Sequence, residues 1–273
     1  MPTDNKKFAD LGWPKTVWAI GAVHGEVDSL AALHDFILPR FQLGDRLVYL
    51  GNTIGRGPAP LATIDEILSF RRRMLSQAGM LVSDIVFLRG AQEEMWQKLL
   101  QLQFAPNPQE VLRWMLGQGV DKTLEAYGGK PEEGLAAARE GALQLTRWTN
   151  RLRESIRRAP GHSALFTVLK RAAYTTPNAR DAEAPMLLVS AGIDINRPLA
   201  TQGDSFWWGA SDFGKINGGY ENFTCLVRGL SENGRDVQAS EHTISLDGGA
   251  ARGGCIAAAR LTASGGVIDL FEI

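Results

Sequence analysis

Apolar positions in the first hundred residues fall into three repeats of one pattern. Thr16-Val17-Trp18-Ala19-Ile20 is β-branched and aromatic, as in a buried strand. It runs into Gly21-Ala22-Val23-His24-Gly25, beyond which Leu30, Leu33, Ile37 and Leu38 recur at helical spacing, with Asp28 placed to cap the helix. The second repeat is Arg46 to Leu50, the turn Gly51-Asn52-Thr53-Ile54-Gly55-Arg56-Gly57, and a helix carrying Leu61, Ile64, Ile67 and Leu68. The third is Ile85 to Leu88, then Arg89-Gly90-Ala91-Gln92-Glu93-Glu94, then a helix through Met95, Leu99 and Leu102. Strand, glycine turn and helix in succession predict a parallel sheet whose three turns lie side by side on one edge. In open α/β sheets that edge is where ligands bind.

From about Pro106 to Tyr174 helix formers replace β-branched runs, which predicts a helical insert over 106–174 within a single domain spanning 1–273. Leu145, Trp148, Leu152 and Ile156 make its apolar stripe, and Arg147, Arg151 and Arg158 read as a solvated face. Arg71-Arg72-Arg73 closes a helix, where cations suit the dipole. Beyond Pro177 the long helices stop. Strands are predicted at Met186–Val189, Thr224–Val227, His242–Leu246, Cys255–Leu261 and Val267–Ile273, with the last two adjacent pairs forming hairpins.

Composition narrows the function. The chain has 273 residues, 29 Lys and Arg against 30 acidic residues, and a net charge of −1. A nucleic-acid or anionic-membrane protein carries a basic excess, so neither partner is expected. No apolar run reaches the ~18 residues a membrane helix needs, and Met1 to Lys15 has no apolar core of a signal peptide. The two cysteines, Cys225 and Cys255, have no metal or redox spacing; both are expected reduced and buried, in a cytoplasmic protein.

Five turns carry the chemistry: those at Ala22–His24, Asn52–Arg56 and Ala91–Glu93, joined by Ser190-Ala191-Gly192 and Arg228-Gly229-Leu230-Ser231. Their order and spacing resemble the calcineurin-like metallophosphoesterases, in the bacterial branch of serine/threonine phosphoprotein phosphatases and diadenosine tetraphosphatases. The likeness extends through Ile193-Asp194, Arg197-Pro198-Leu199, Gln202, Phe206-Trp207-Trp208 and Leu246-Asp247-Gly248-Gly249-Ala250, and through Thr123-Leu124, Tyr127-Gly128, Pro160 and His162 in the insert. It implies an α/β fold, an α-β-β-α sandwich of two mixed sheets flanked by helices.

The resemblance also implies a two-metal phosphoesterase centre, from which this chain departs selectively. The family's Gly-Asp-x-His-Gly becomes Ala22 and His24; its Gly-Asp-x-x-Asp-Arg-Gly becomes Asn52, Gly55 and Arg56; its Gly-Asn-His-Glu becomes Ala91, Gln92 and Glu93. The two later metal-binding histidines correspond to Ser190 and Leu230. Only His24 keeps its residue among the metal-ligand positions, and Asn52 retains a neutral carbonyl oxygen. Divalent ions need several carboxylate and imidazole ligands, a metal pair needs a bridging anion, and Gln92 cannot act as a general acid. The expected product is a pseudophosphatase with no metal or other cofactor, acting as a binding, regulatory or scaffolding protein. The alternative is a phosphoesterase, a protein phosphatase or dinucleoside polyphosphate hydrolase, with a reduced or relocated metal site.

Candidate ligand-binding residues are His24, Asn52, Arg56, Arg89 and Arg228, with Arg252 near them. Alone on its strand end, His24 reads as a packed histidine, as do His34 and His162 on helical segments. Arg56 has two readings, a partner for a phosphate or carboxylate ligand, or an internal pair with Asp247 or Glu93. The ligand class implied is a phosphorylated protein or a nucleotide. A homo- or hetero-oligomer would use the insert or Phe206-Trp207-Trp208.

Overall fold

A computed structural model describes residues 6–177, 183–209 and 213–273; residues 1–5 of the N-terminal stretch lie outside these. Along the chain run β1 (Phe8–Asp10), β2 (Val17–Ile20), α1 (Val27–Ile37), β3 (Arg46–Tyr49), α2 (Pro60–Leu75), β4 (Ile85–Phe87) and α3 (Ala91–Leu99). The helices α4 (Pro108–Met115), α5 (Asp121–Ala126), α6 (Pro131–Glu140), α7 (Ala142–Arg158) and α8 (His162–Val168) follow. Then come β5 (Ala172–Tyr174), β6 (Met186–Val189), α9 (Ser205–Trp208), β7 (Cys225–Arg228), β8 (Asp236–Ala239), β9 (Thr243–Asp247), β10 (Ala257–Leu261) and β11 (Val267–Glu272).

The strands form two mixed sheets, one ordered β11-β10-β2-β3-β4 and the other β1-β5-β6-β7-β9-β8. β2, β3 and β4 are parallel neighbours, so their three turns share one edge. Period-two alternation sorts each strand's side chains. Val17, Ala19, Val48, Leu50 and Val86 face Met186, Leu188, Val227, Ile244 and Leu246 of the other sheet in a dry layer. Trp18, Ile20, Leu47 and Tyr49 point the opposite way, onto Leu30, Leu33 and Ile37 of α1 and Ile64, Ile67 and Phe70 of α2. On the far side, Leu187, Val189 and Leu226 pack under Phe206 and Trp207 of α9 and under Tyr220 and Phe223. Among the described residues no helix is long and apolar enough to cross a membrane.

Several sequence expectations need correction. Glu26, not Asp28, is the N-cap of α1, and Asp28 sits in its first turn. β9 and β10 are not a hairpin: β9 pairs with β7 and β8, while β10 pairs with β2 and β11. The glycines after Asp247 carry the chain from one sheet to the other instead of reversing it. β1 and β8 carried no strand signal, because each is short and lies at a sheet edge. Ala172–Tyr174, at the end of the helical stretch, is a fully buried strand. Cys225 is buried, but Cys255 is only partly so, its Sγ–H directed at Glu272. In α7, Leu145, Trp148, Leu152 and Ile156 are buried, and Arg147, Arg151 and Arg158 are exposed.

Two buried histidines tie α2 to its surroundings. His34 Nδ1 donates to Glu66 Oε1 (2.6 Å), and its Nε2 accepts from Tyr49 Oη (2.7 Å). His162 Nε2 donates to Asp65 Oδ1 (3.0 Å), and its Nδ1 accepts from Tyr127 Oη (2.7 Å). The tautomers follow because an ionised carboxylate only accepts. Burial, with Arg73 nearby, lowers the His34 pKa to about 3, Asp35 opposing weakly. The folded state therefore prefers neutral His34, while the unfolded chain takes up a proton below pH ~6.5. This stability is present above pH ~6.5 and is lost as pH falls towards 3. Between pH 6.5 and 5, the unfolding free energy from denaturant titrations should fall with a slope that His34→Gln reduces by up to about 1.4 kcal/mol per pH unit. Equal slopes in both proteins would contradict this assignment.

Candidate functional site

The site is assembled where glycines let the two sheets approach at their carboxyl ends. A Cβ on Gly21 would lie 2.0 Å from the Leu246 carbonyl oxygen, and one on Gly229 would lie 2.6 Å from Leu50 Cβ. The first two turns are then laced together. Val23 and His24 both donate N–H to the Asn52 carbonyl (3.0 and 2.8 Å), and Gly57 N–H donates to the His24 carbonyl (2.7 Å). His24, Asn52 and Arg56 hold left-handed backbone angles, with φ of 53°, 54° and 50°. Non-glycine residues seldom adopt that region, and strain of this kind persists where surrounding contacts impose it.

Those contacts centre on Glu93, which is buried. Its Oε2 accepts from the N–H groups of Asn52 (2.8 Å) and Gly90 (2.8 Å), and its Oε1 from Thr53 N–H (2.7 Å) and Oγ1 (2.8 Å). A carboxylate can accept about four such bonds, so Glu93 has no capacity left for Arg56. Asp247 is likewise occupied, by Ser231 N–H (2.7 Å), Ser231 Oγ (3.2 Å) and Gly249 N–H (3.0 Å). Neither acid that the sequence offered as an internal partner is bonded to Arg56. Instead its backbone N–H donates to the Gly119 carbonyl (3.0 Å), and its exposed guanidinium approaches Gln118 Oε1 (3.5 Å).

Above the turns lies a cleft of about 660 Å³. His24, Asn52, Arg56, Ala91, Gln92, Leu230 and Arg228 all line it. Ala22, Gly55 and Ser190 are buried and are not on its wall. Ser190 Oγ accepts from Asn52 Nδ2 (3.1 Å), and Asn52 Oδ1 accepts from Gln92 N–H (3.1 Å), so the Asn52 amide is engaged at both ends. A Cβ at Gly55 would sit 2.1 Å from Gln92 Oε1. Gln92 therefore fills the space over Gly55 and donates from Nε2 to the Gln118 carbonyl (2.9 Å).

The arginines separate. Arg89 turns away to an ion pair with Glu94 (3.1 Å) and is not on the cleft wall. Arg228 is on the wall but paired with Asp236 (2.6 Å) and set over the Phe213 ring. Arg56 and Arg252 line the cleft with no carboxylate partner among the described residues. Two polar atoms in the wall residues, Gln92 Oε1 and Trp207 Nε1, are buried without a hydrogen-bond partner. Burial, then the Arg56 charge, lowers the His24 pKa to about 3, with the Ile54 backbone opposing weakly, so its imidazole is neutral at pH 7.

Two contributors escaped the sequence reading. Gln118 reaches the cleft from the insert, and Trp207 lines it from α9. In the run Phe206-Trp207-Trp208 the first two side chains are buried, at 0% and 4% exposure, and Trp208 is partly exposed. Gly117 and Gly119 beside Gln118 were the only local hint of a turn there.

The residues present do not fit two divalent cations. No group of three or more His, Cys, Asp or Glu side chains among the described residues is placed to hold a metal ion. Among the described residues His24 is the only imidazole on the cleft wall, and the Asn52 amide is already bonded at both ends.

Two mixed sheets thus pack face to face and set five turns along their shared edge. A crystal structure of a candidate diadenosine tetraphosphatase matches this arrangement at a TM-score of 0.53, covering 98% of this chain and 97% of that one at 15% identity. Two looser likenesses were also found. A serine/threonine phosphatase from Saccharomyces cerevisiae with similarity to human PP5 gives 0.47, 12% identity and coverage of 98% and 82%. A metallophosphoesterase from Sphaerobacter thermophilus gives 0.43, 12% identity and coverage of 95% and 88%. At these identities the likeness is one of fold. No protein-family profile and no curated protein sequence matches the chain.

Proposed function

We propose that this protein binds an anionic ligand in the five-turn cleft and does not hydrolyse it, as a pseudophosphatase. The observation that carries the reading is the placement of Arg56 and Arg252 on the cleft wall with no carboxylate partner among the described residues. Buried polar groups are nearly always hydrogen-bonded, and behind that wall Gln92 Oε1 and Trp207 Nε1 have no partner. Arg56 and Arg252 supply guanidinium forks suited to phosphate oxygens. Trp208, partly exposed on the wall, adds an aromatic surface for a base or side chain attached to that phosphate. Hydrolysis by the fold's usual route needs a set of metal ligands, and no such set is found among the described residues.

The ligand is accordingly a phosphorylated protein segment or a nucleotide, and calorimetry with AMP and with a phosphoserine peptide tests both. Saturable binding of either, weakened about tenfold or more by Arg56→Ala, is the expected result. In parallel, p-nitrophenyl phosphate with added manganese should release no phosphate above background, and purified protein should carry no stoichiometric metal. Turnover that disappears in His24→Ala would replace this reading with a phosphoesterase using a reduced metal site.

A further inference from the structure

A second cavity, of about 360 Å³, lies on the other side of α3 from the cleft. The helix is the shared wall. Ala91, Gln92 and Met95 face the cleft, and Glu93, Trp96, Gln97 and Leu100 face the second cavity, three to four residues apart as one helical face requires. α7 and α8 complete the enclosure with Ile156, Phe166 and Leu169 as its apolar lining.

Two features of this cavity are left open by the protein. Trp96 is 1% exposed, and its indole Nε1–H has no hydrogen-bond partner. At the rim stand Arg153 and Arg157. Arg153 donates to Asn150 Oδ1 and to the Leu100 carbonyl, and Arg157 Nε donates to the Arg153 carbonyl. Neither forms an ion pair with a carboxylate among the described residues, whereas Arg151 and Arg158 on the same helix both do. A cavity of ligand size with an apolar side formed by Ile156, Phe166 and Leu169, and guanidinium groups that have no carboxylate partner at its rim, are complementary to one chemistry.

We propose that this cavity is a binding site for a small amphipathic carboxylate. Its aromatic or short acyl body fills the space beside Trp96, Ile156 and Phe166, and its anionic head meets Arg153 and Arg157. The site is separate from the five-turn cleft and does not depend on what the cleft binds.

1-Naphthylacetate, titrated into the full chain by calorimetry, is the probe. It should bind with one-to-one stoichiometry. Arg157→Gln, at an exposed position, should weaken it about tenfold. Thr167→Trp, also exposed and on the cavity lining, should fill the chamber and abolish binding. 1-Naphthylmethylamine, with the same body and the opposite charge, should bind at least about tenfold more weakly than the acid. Unchanged thermal midpoints would show that both variants fold. The proposal is overturned by absence of saturable binding, by equal affinity for acid and amine, or by affinity unmoved in both folded variants. Loss of binding in Arg56→Ala, with Thr167→Trp unaffected, would overturn it too by placing the probe in the cleft.

Discussion

Glu93→Ala should destabilise the protein by about 3–5 kcal/mol, because it orphans several buried donors at about 1–3 kcal/mol each. The N–H groups of Asn52, Thr53 and Gly90 and the Thr53 hydroxyl all end on this one carboxylate, and no other acceptor takes its place. For a chain of this size the thermal midpoint should fall by about 10 °C. Glu93→Gln keeps the shape but turns an NH₂ group towards donors, so its loss should be intermediate. The left-handed Asn52 is held through the same carboxylate, so ligand affinity in the cleft should fall with stability. Scanning calorimetry on the three proteins measures the effect; midpoints within a degree or two of one another would refute the assignment of Glu93 as the organiser of the turns.

Gly21→Ala is the second large effect. Its added methyl would meet two backbone carbonyl oxygens, that of Leu246 at 2.0 Å and that of Ala257 at 3.0 Å, and neither is the end of a flexible side chain. Relief requires β9 to move from β2, which separates the sheets at the five turns. Overpacking typically costs about 1–3 kcal/mol, and a clash with backbone on both sides places this variant at or above the upper end. Gly203→Ala is the matched control, since its methyl would meet nothing within 4 Å. It should change stability by less than about 0.5 kcal/mol. Urea unfolding of both variants checks the pair, and a Gly21→Ala protein as stable as Gly203→Ala would show that the sheets can slip apart there without cost.

Much of the architecture was legible because it is written in local runs. The repeats ending at His24, Arg56 and Glu93 each combine a buried strand with a glycine turn, and periodicity finds both. The identity of the side chains on those turns was legible for the same reason, since His24, Asn52, Arg56 and Gln92 stand close to the glycines that mark the turns. What escaped was pairing over long separations. Asn52 and Ser190 meet across 138 positions, and Glu93 bonds to turns 40 and 41 residues before it. No pattern near Asn52 announces that its amide will be consumed by Ser190 and Gln92. Arg89, Arg228 and Arg252 look alike in sequence. Their difference lies in Glu94 and Asp236, acids that discharge the first two and leave the third open. The mistaken hairpin at Asp247-Gly248-Gly249 has a similar origin, because a glycine turn shows that the chain bends, not which sheet it enters.

Asp65 and Glu66 are consecutive, and successive residues of an α-helix point about 100° apart. Through His162 the first fastens α2 to the helical insert, and through His34 the second fastens it to the β3 strand. Rolling the helix about its long axis in either sense stretches one of these tethers. α2 is thus torsionally pinned, and so is its first turn at Pro60, a few residues from Arg56. The guanidinium is long and exposed, but it springs from a mounting that does not rotate.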